Sequence, residues 1–443
     1  GIRVDFRELQ PMMRFIYPEH DIAVPADLDE YAEVLKDAFQ PQTANINRFF
    51  KAVRSVTDRM SMRLTRRPLG FAGAMRMAAA PFTSPKALSY MMSGTSWKRV
   101  LDKYFTDEQL KTVLSTPWGF LGAPPWDLSA LSMFSMMKSF ARGAYVPEGG
   151  FQLMADSFAN AFTASGGTLL LEHEVISINT ENGRVSEVEM VPRMRVSTDF
   201  VVSDSDTKRT FLRLLDREDL PATFIDRVDE APVSMTGFVI HLGLAKQAGQ
   251  EFAGGPIIVS PSYDEAEMLD EVTVKTRFPE ADRLRWSVMV PSLTDPTLAP
   301  RGKTCLDIIV PSVPYGFMKR WGVEAGGVRG REYRGIKEKY AETVVNAVSR
   351  RFPDLIKGVE AFDVATPITY ERYTMAIDGC WYDSAPVGAY GLGKRPGPRT
   401  PVKGLLMTGA KSAFGGGIYP ALMSGVLTAD AVTRGGMDRL FPD

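Results

Sequence analysis

An α/β architecture is predicted for this chain of 443 residues, and three observations predict it. Strand-like and helix-like segments alternate along the second half without a fixed period, which excludes a repeat solenoid. An amphipathic helix marked by Phe151, Met154, Phe158 and Phe162 stops at Gly166-Gly167 and passes into strand patterns. Near the end, Gly404-Leu405-Leu406-Met407-Thr408-Gly409-Ala410 reads as a buried strand. A short loop then leads to an apolar helix opened by Gly415-Gly416-Gly417-Ile418.

Taken in order, the chain opens with an extended apolar piece over 12–17. Helical spacing follows over 28–56, with Tyr31, Val34, Leu35 and Phe39, then Ile46, Phe49, Phe50 and Val53; Gln40-Pro41-Gln42 splits it in two. Short helices are expected over 97–104 and 107–114. Two stretches, 60–92 and 117–140, are crowded with methionines and aromatics; the first also carries arginines. Strands are expected over 168–172, 174–179, 184–191 and 199–203, with a short helix from Thr207. Further strands fall over 236–244, 256–259, 284–290 and 304–310, an amphipathic helix over 333–352, and strands over 359–366 and 405–408. The final helix spans 418–433, and 391–401, rich in Pro and Gly, reads as a loop.

Composition narrows the class of function. Net charge is −1 with no basic patch, which argues against a nucleic-acid partner. The two cysteines, Cys305 and Cys380, lack metal-ligand spacing, and so few thiols point to a reducing, cytoplasmic compartment. No signal peptide is visible at the start. The uncharged part of 412–429 is long enough to span a membrane, but its glycines and Pro420 make it a poor spanning helix. His20, His173 and His241 are scattered, so no metal site is expected.

Two places carry potential chemistry. At Gly415–Ile418, glycines let backbone N–H groups approach a ligand, and the helix start offers unpaired donors at a positive dipole end. A flat ring with a carbonyl that becomes anionic on reduction suits it; a tight packing turn fits the spacing equally well. Before the 151–162 helix, Tyr145-Val146-Pro147-Glu148-Gly149-Gly150 makes a rigid turn with outward N–H groups. There Glu148 is a candidate acid or base and Tyr145 a candidate orienting group, against the plainer roles of solvated turn carboxylate and packed aromatic.

These segments form an ordered series: Pro147-Glu148-Gly149-Gly150 with its helix, Gly166-Gly167, the strand holding Val175, Asp199-Phe200-Val201-Val202-Ser203, Gly409, and Gly415-Gly416-Gly417-Ile418 with Ser424-Gly425. The series resembles the phytoene desaturase, carotenoid isomerase and retinol saturase branch of flavin-dependent oxidoreductases. The resemblance implies a Rossmann-like FAD-binding domain and a discontinuous α+β substrate domain. Residues 141–215 and 376–443 would form the first, and 1–140 and 216–375 the second. It implies non-covalent FAD. Val175 is similar to the residue whose backbone meets the adenine, and Gly409 to the glycine near the pyrophosphate. Gly416, Gly417 and Ile418 are similar to the helix start that meets the flavin ring. Tyr145 to Gly150 would face the substrate side.

Two departures qualify this. Tyr419-Pro420 stands where the family commonly has smaller residues. More important, no segment supplies the strand–Gly-x-Gly-x-x-Gly–helix fingerprint. Gly70-Phe71-Ala72-Gly73 and Gly391-Leu392-Gly393 lack its spacing. The FAD domain is therefore expected to be incomplete at its N-terminus, short of a βαβ unit of ~30 residues and its continuation. FAD binding is expected only where that piece is present. The substrate is expected to be an apolar small molecule, polyene or isoprenoid-like. For the Met-rich stretches three readings stay open: tunnel lining, peripheral contact with a membrane, and ordinary core. An amine or alcohol oxidase and a non-enzymatic escort protein of the same fold remain the rivals.

Overall fold

The computed structural model describes residues 2–57, 94–273, 278–316, 321–323, 329–390, 395, 397–412 and 415–433. The Met-rich stretch 60–92 and much of the 391–401 loop lie outside the described residues.

Three short strands, β1 (Phe6–Glu8), β2 (Met13–Ile16) and β3 (Asp21–Val24), open the chain. Asp27 then caps the helix Leu28–Ala38, its carboxylate accepting from the N–H groups of Asp29 and Glu30. Pro41 sits in the single tight turn that separates this helix from Thr43–Thr57, as the sequence predicts. With Trp97–Leu101, Glu108–Ser115 and Ala130–Phe140, these helices make one layer. Its centre is Phe49, whose ring meets those of Phe50, Trp97, Tyr104 and Phe105 in edge-on or tilted contacts.

The later strands are β4 (Tyr145–Pro147), β5 (Glu174–Glu181), β6 (Arg184–Val191), β7 (Met194–Ser197), β8 (Val201–Ser203), β9 (Gly237–Leu244), β10 (Ile257–Val259), β11 (Trp286–Met289), β12 (Thr304–Pro311), β13 (Val359–Ala365) and β14 (Leu405–Met407). A seven-stranded sheet runs in the order β13-β9-β12-β11-β10-β2-β3. All its pairs are antiparallel except β10 with β2, where Phe15 lies opposite Ile258. Phe238, Ile240, Ile308 and Val310 are fully buried in it. They share one core with Tyr333, Tyr340, Val344 and Val348 of the helix Arg331–Arg351. The charged residues of that helix form its outer face, and its tyrosines and valines the inner one.

The remaining part is thinner. β5, β6 and β7 form an antiparallel meander, and β8 pairs with β14 in parallel. Beneath them lies a small core of Ile178, Val185, Phe211, Leu214, Leu405 and Met407. The helix Gly150–Ala164 buries only Met154. Phe151 (52%), Phe158 (40%) and Phe162 (53%) remain exposed on it. Residues 168–172, expected as a strand, are not one. The segment has no ladder partner there, and Leu169, Leu170 and Leu171 face solvent. Among the described residues no helix is long and apolar enough to cross a membrane.

Candidate functional site

In open α/β sheets ligands bind beyond the carboxyl ends of parallel strands, where loops diverge. Here that place is the end of the β8–β14 pair, with Met407 opposite Ser203. The Thr408 N–H continues the ladder to the Ser203 carbonyl at 2.9 Å. Gly409 follows in the left-handed region at φ +73°, and an added Cβ would collide with the Asp204 carboxylate. Its N–H donates to Ser424 Oγ at 2.6 Å, and Thr428 Oγ1 donates to the Met407 carbonyl at 3.0 Å. These two hydroxyls fasten the final helix, Ile418–Thr433, to the end of β14. Ser424 belongs to the motif series, and this fastening is what its hydroxyl does.

The helix start lies beside this fastening. Gly417 adopts φ +109°, a conformation that side-chain-bearing residues rarely adopt, and Gly416 lies so close to the Tyr382 ring that no Cβ fits. Ile418 is 48% exposed and Tyr419 is exposed beside it, so the first N–H groups of the helix open outward next to an apolar wall. The Ser412 hydroxyl, in the loop before it, is buried without a hydrogen-bond partner. Pro420 stands in the first turn, as its missing N–H allows.

Below the glycines lies a carboxylate seam that sequence reasoning missed. Asp383 accepts from the Thr207 N–H at 3.0 Å and from Thr207 Oγ1 at 2.8 Å. Asp206 caps the helix Thr207–Arg213 through the Arg209 N–H. Burial first, and neighbouring Asp383 second, push Asp206 up to about 6. Asp204 is likewise raised by burial, against the pull of Lys411. Burial pushes the Cys380 thiol up to about 12, with Asp206 and Asp383 adding to the effect. Buried Arg395 donates to the carbonyls of Ser384 and Ala410. The only sequence signal for this seam is Asp204 and Asp206 directly after β8; Asp383 and Arg395 come from segments that read as plain loop.

The turn before the Gly150–Ala164 helix is less free than its sequence suggests. β4 pairs antiparallel with β1, and Arg7 holds Glu148 at 2.8 Å. The Gly149 N–H donates to the fully buried Asp295 carboxylate at 2.6 Å, so it does not point outward. Burial works to raise Asp295, but the Gly149 and Thr297 donors outweigh it and hold the group below the usual carboxylate range. Tyr145 is half exposed, with its ring over Gly143. Val175 lies on β5 at the margin of the small core, its carbonyl accepting from Arg209. The structure thus gathers Gly409, Gly416, Gly417 and Ile418 at one strand end, while Tyr145 and Glu148 stand on the β1–β4 ribbon. Among the described residues no cluster of His, Cys, Asp or Glu suits a metal ion.

No model of a known protein family matches the chain. Among curated proteins it is similar to a neurosporene-forming phytoene desaturase of Rhodobacter capsulatus, 26% identical over 337 residues, covering 74% of this chain and 61% of the relative. It is also similar to a lycopene-forming phytoene desaturase of Pseudescherichia vulneris, 24% identical, covering 81% and 71%. A third relative is pyridine nucleotide-disulfide oxidoreductase domain-containing protein 2 of Rattus norvegicus, 27% identical, covering 83% and 64%. The chain therefore spans about 61% to 71% of the length of these relatives. Among solved structures it resembles an oxidoreductase from Methanosarcina mazei, with TM-score 0.59 and 17% identity, covering 98% of this chain and 82% of that one. A putrescine oxidase variant gives TM-score 0.61 at 13% identity, covering 98% and 83%. These likenesses establish the fold as mixed α/β and Rossmann-like. The resemblance first seen in short motifs thus extends to a similarity with phytoene desaturases over 74% to 81% of the chain.

Proposed function

We propose that this chain is the larger part of an FAD-dependent oxidoreductase acting on carbon–carbon bonds of an apolar, polyene or isoprenoid-like substrate, by desaturation, saturation or isomerisation. The observation that carries the reading is the open glycine helix start, Gly416-Gly417-Ile418, at the carboxyl end of the β8–β14 pair. Similarity to two phytoene desaturases supports the substrate class. On this reading 141–215 and 376–443 serve the cofactor, and 1–140 and 216–375 serve the substrate.

The residues fit one end of FAD and not the other. The ring end suits the helix start: Gly417 needs its missing side chain, the first N–H groups are open, and Ser412 Oγ lacks a partner. Among the described residues the pyrophosphate end is not supplied, because the Gly409 N–H is already taken by Ser424 and the Asp204 carboxylate would repel phosphate. Phosphate-binding N–H groups would come from a strand–helix–strand segment added beside β8. The exposed Phe151, Phe158, Phe162 and Val202 are the surface it would cover.

When bound, a flavin supplies hydride transfer; the protein supplies orientation and dryness. Ile418 and Tyr419 would flank the ring, and the helix-start donors would hold its carbonyl. Tyr145 would orient substrate. Glu148, paired with Arg7, would serve more readily to fix the turn than to move a proton. The test is the absorption spectrum of the purified full-length protein. Flavin bands are expected, and Gly417→Val should weaken flavin retention at least tenfold, since it adds both bulk and backbone strain. A yellow, fully active Gly417→Val protein would sink the assignment. Hydrogen peroxide release with amines and no response to polyenes would favour an amine oxidase, and a wild-type protein without flavin bands would favour the escort reading.

A further inference from the structure

Residues 375–383 join the helix Pro367–Thr374 to the carboxylate seam, and their backbone is strained. Met375 (φ +56°), Asp378 (φ +54°) and Asp383 (φ +62°) all lie in the left-handed region. Among the described residues only six non-glycine residues do so, and these are three of them, so the strain is concentrated here. Such conformations persist where surrounding contacts over-determine them, and they gather at functional sites. What this segment presents is a pair of aromatic rings, Trp381 and Tyr382, with centroids 6.4 Å apart and planes nearly perpendicular.

Three glycines from separate parts of the fold are moulded to those rings. A Cβ on Gly416, at the helix start, would lie 2.3 Å from Tyr382 Cδ1. One on Gly122, just after the turn Thr116–Phe120, would lie 2.9 Å from Tyr382 Cδ2, on the ring's other edge. One on Gly237, at the start of β9, would lie 2.4 Å from the Trp381 indole. The backbone is held as closely. The Trp381 N–H donates to the Met235 carbonyl at 3.1 Å, and the Tyr382 N–H to Ser234 Oγ at 2.9 Å. Asp383 ties the segment to Thr207. Both rings are nonetheless half-buried, so part of each stays open to a ligand.

Gly237 places the indole on the face of the seven-stranded sheet opposite the helix Arg331–Arg351, since its neighbour Phe238 points into the core beneath that helix. On the indole's side Ile309 and Met289 are half-buried, whereas Val288, Ile308 and Val310 on the helix side are buried. Ile309 lies opposite Val239, two residues from Gly237, so apolar surface continues beside the indole. We propose that Trp381 and Tyr382 form the aromatic wall of the reaction site. Tyr382 backs the flavin seat through Gly416, and Trp381 is a specificity-determining residue that holds the conjugated part of the substrate. This rests on the proposed function and adds to it. A conjugated chain is flat and can stack on the indole face, where a saturated chain of the same skeleton gains only its area burial.

The test is calorimetric titration, in detergent, of the flavin-bound full-length protein with a conjugated isoprenoid hydrocarbon and with its fully saturated counterpart. The conjugated chain should bind roughly two- to tenfold more tightly. Trp381→Met and Trp381→Leu keep apolar bulk without a ring, and either should abolish the preference while the saturated chain binds as before. Trp381→Phe should restore much of it. A role in packing alone would weaken both ligands together and leave their ratio unchanged. Tyr382→Leu should lose flavin on gel filtration, and Tyr382→Phe should keep it. Equal affinities, binding of neither hydrocarbon, a preference that survives loss of the Trp381 ring, or full flavin retention by Tyr382→Leu would each overturn the inference. A full-length wild type without flavin bands would instead overturn the proposed function, and this inference with it.

Discussion

The seven-stranded sheet and the β8–β14 pair use the same strand chemistry and end in opposite states. In the sheet, β9 is paired along its full length with β12 and from Val239 to Leu244 with β13, and the helix Arg331–Arg351 covers one face with tyrosines and valines. In the pair, three residues of each strand meet in parallel, and the nearby helix Gly150–Ala164 leaves three phenylalanines in water. Parallel strands normally occur in sheets buried on both faces. Among the described residues the β8–β14 pair stands alone as a two-stranded sheet, and the Gly150–Ala164 helix keeps most of its apolar side chains exposed. The sheet is closed by its own pairing and its helix; the β8–β14 pair carries the glycine-rich strand end and leaves Val202 exposed.

Substitutions should separate the two regions sharply. Ile308→Ala, in the closed sheet, should cost about 2–5 kcal/mol in a denaturant titration, because the surrounding paired strands cannot collapse into the gap. A loss below about 1 kcal/mol would mean that the sheet is far looser than its burial indicates. The seam between the regions should show itself through pH. Asp206 is raised to about 6 from about 3.9 in an unfolded chain, so the native state holds the proton more tightly between those values. Stability should then fall as pH rises from about 4 to about 6 and stay level in this respect above. Asp206→Asn keeps a cap-forming side chain and should flatten that slope; an unchanged slope would remove Asp206 from the account. Smallest of all, Phe158→Ser in the open region should shift stability by no more than about 0.5 kcal/mol and reduce self-association. A large loss would show that this face is covered after all.

Legibility in the sequence followed local chemistry. The helices 28–38 and 43–57 were readable because Asp27, Pro41 and the apolar spacing all act within a few residues. The Gly415–Ile418 helix start was readable for the same reason. The strand expected over 168–172 failed because an apolar run such as Leu169-Leu170-Leu171 cannot by itself supply a ladder partner. The Asp206–Asp383 seam was invisible because its halves lie far apart in the chain and look like loop. The Gly149 N–H was expected to be free, and only the fold brings Asp295 beneath it.

The pairing of β2 with β10 also bears on how the chain is made. On one side Phe15 pairs with Ile22 of β3, but its ladder neighbour on the other side is Ile258. At a synthesis rate of roughly 5–20 residues per second, β2 leaves the ribosome many seconds before that neighbour exists. Its buried side chains need shelter in the meantime, and the helices up to Phe140 can give it, since Met12, Met13 and Phe15 pack in the same core as Phe49 and Phe134. The helical layer is thus a nascent chain's first shelter, holding a half-paired strand in trust until the rest of its sheet is translated.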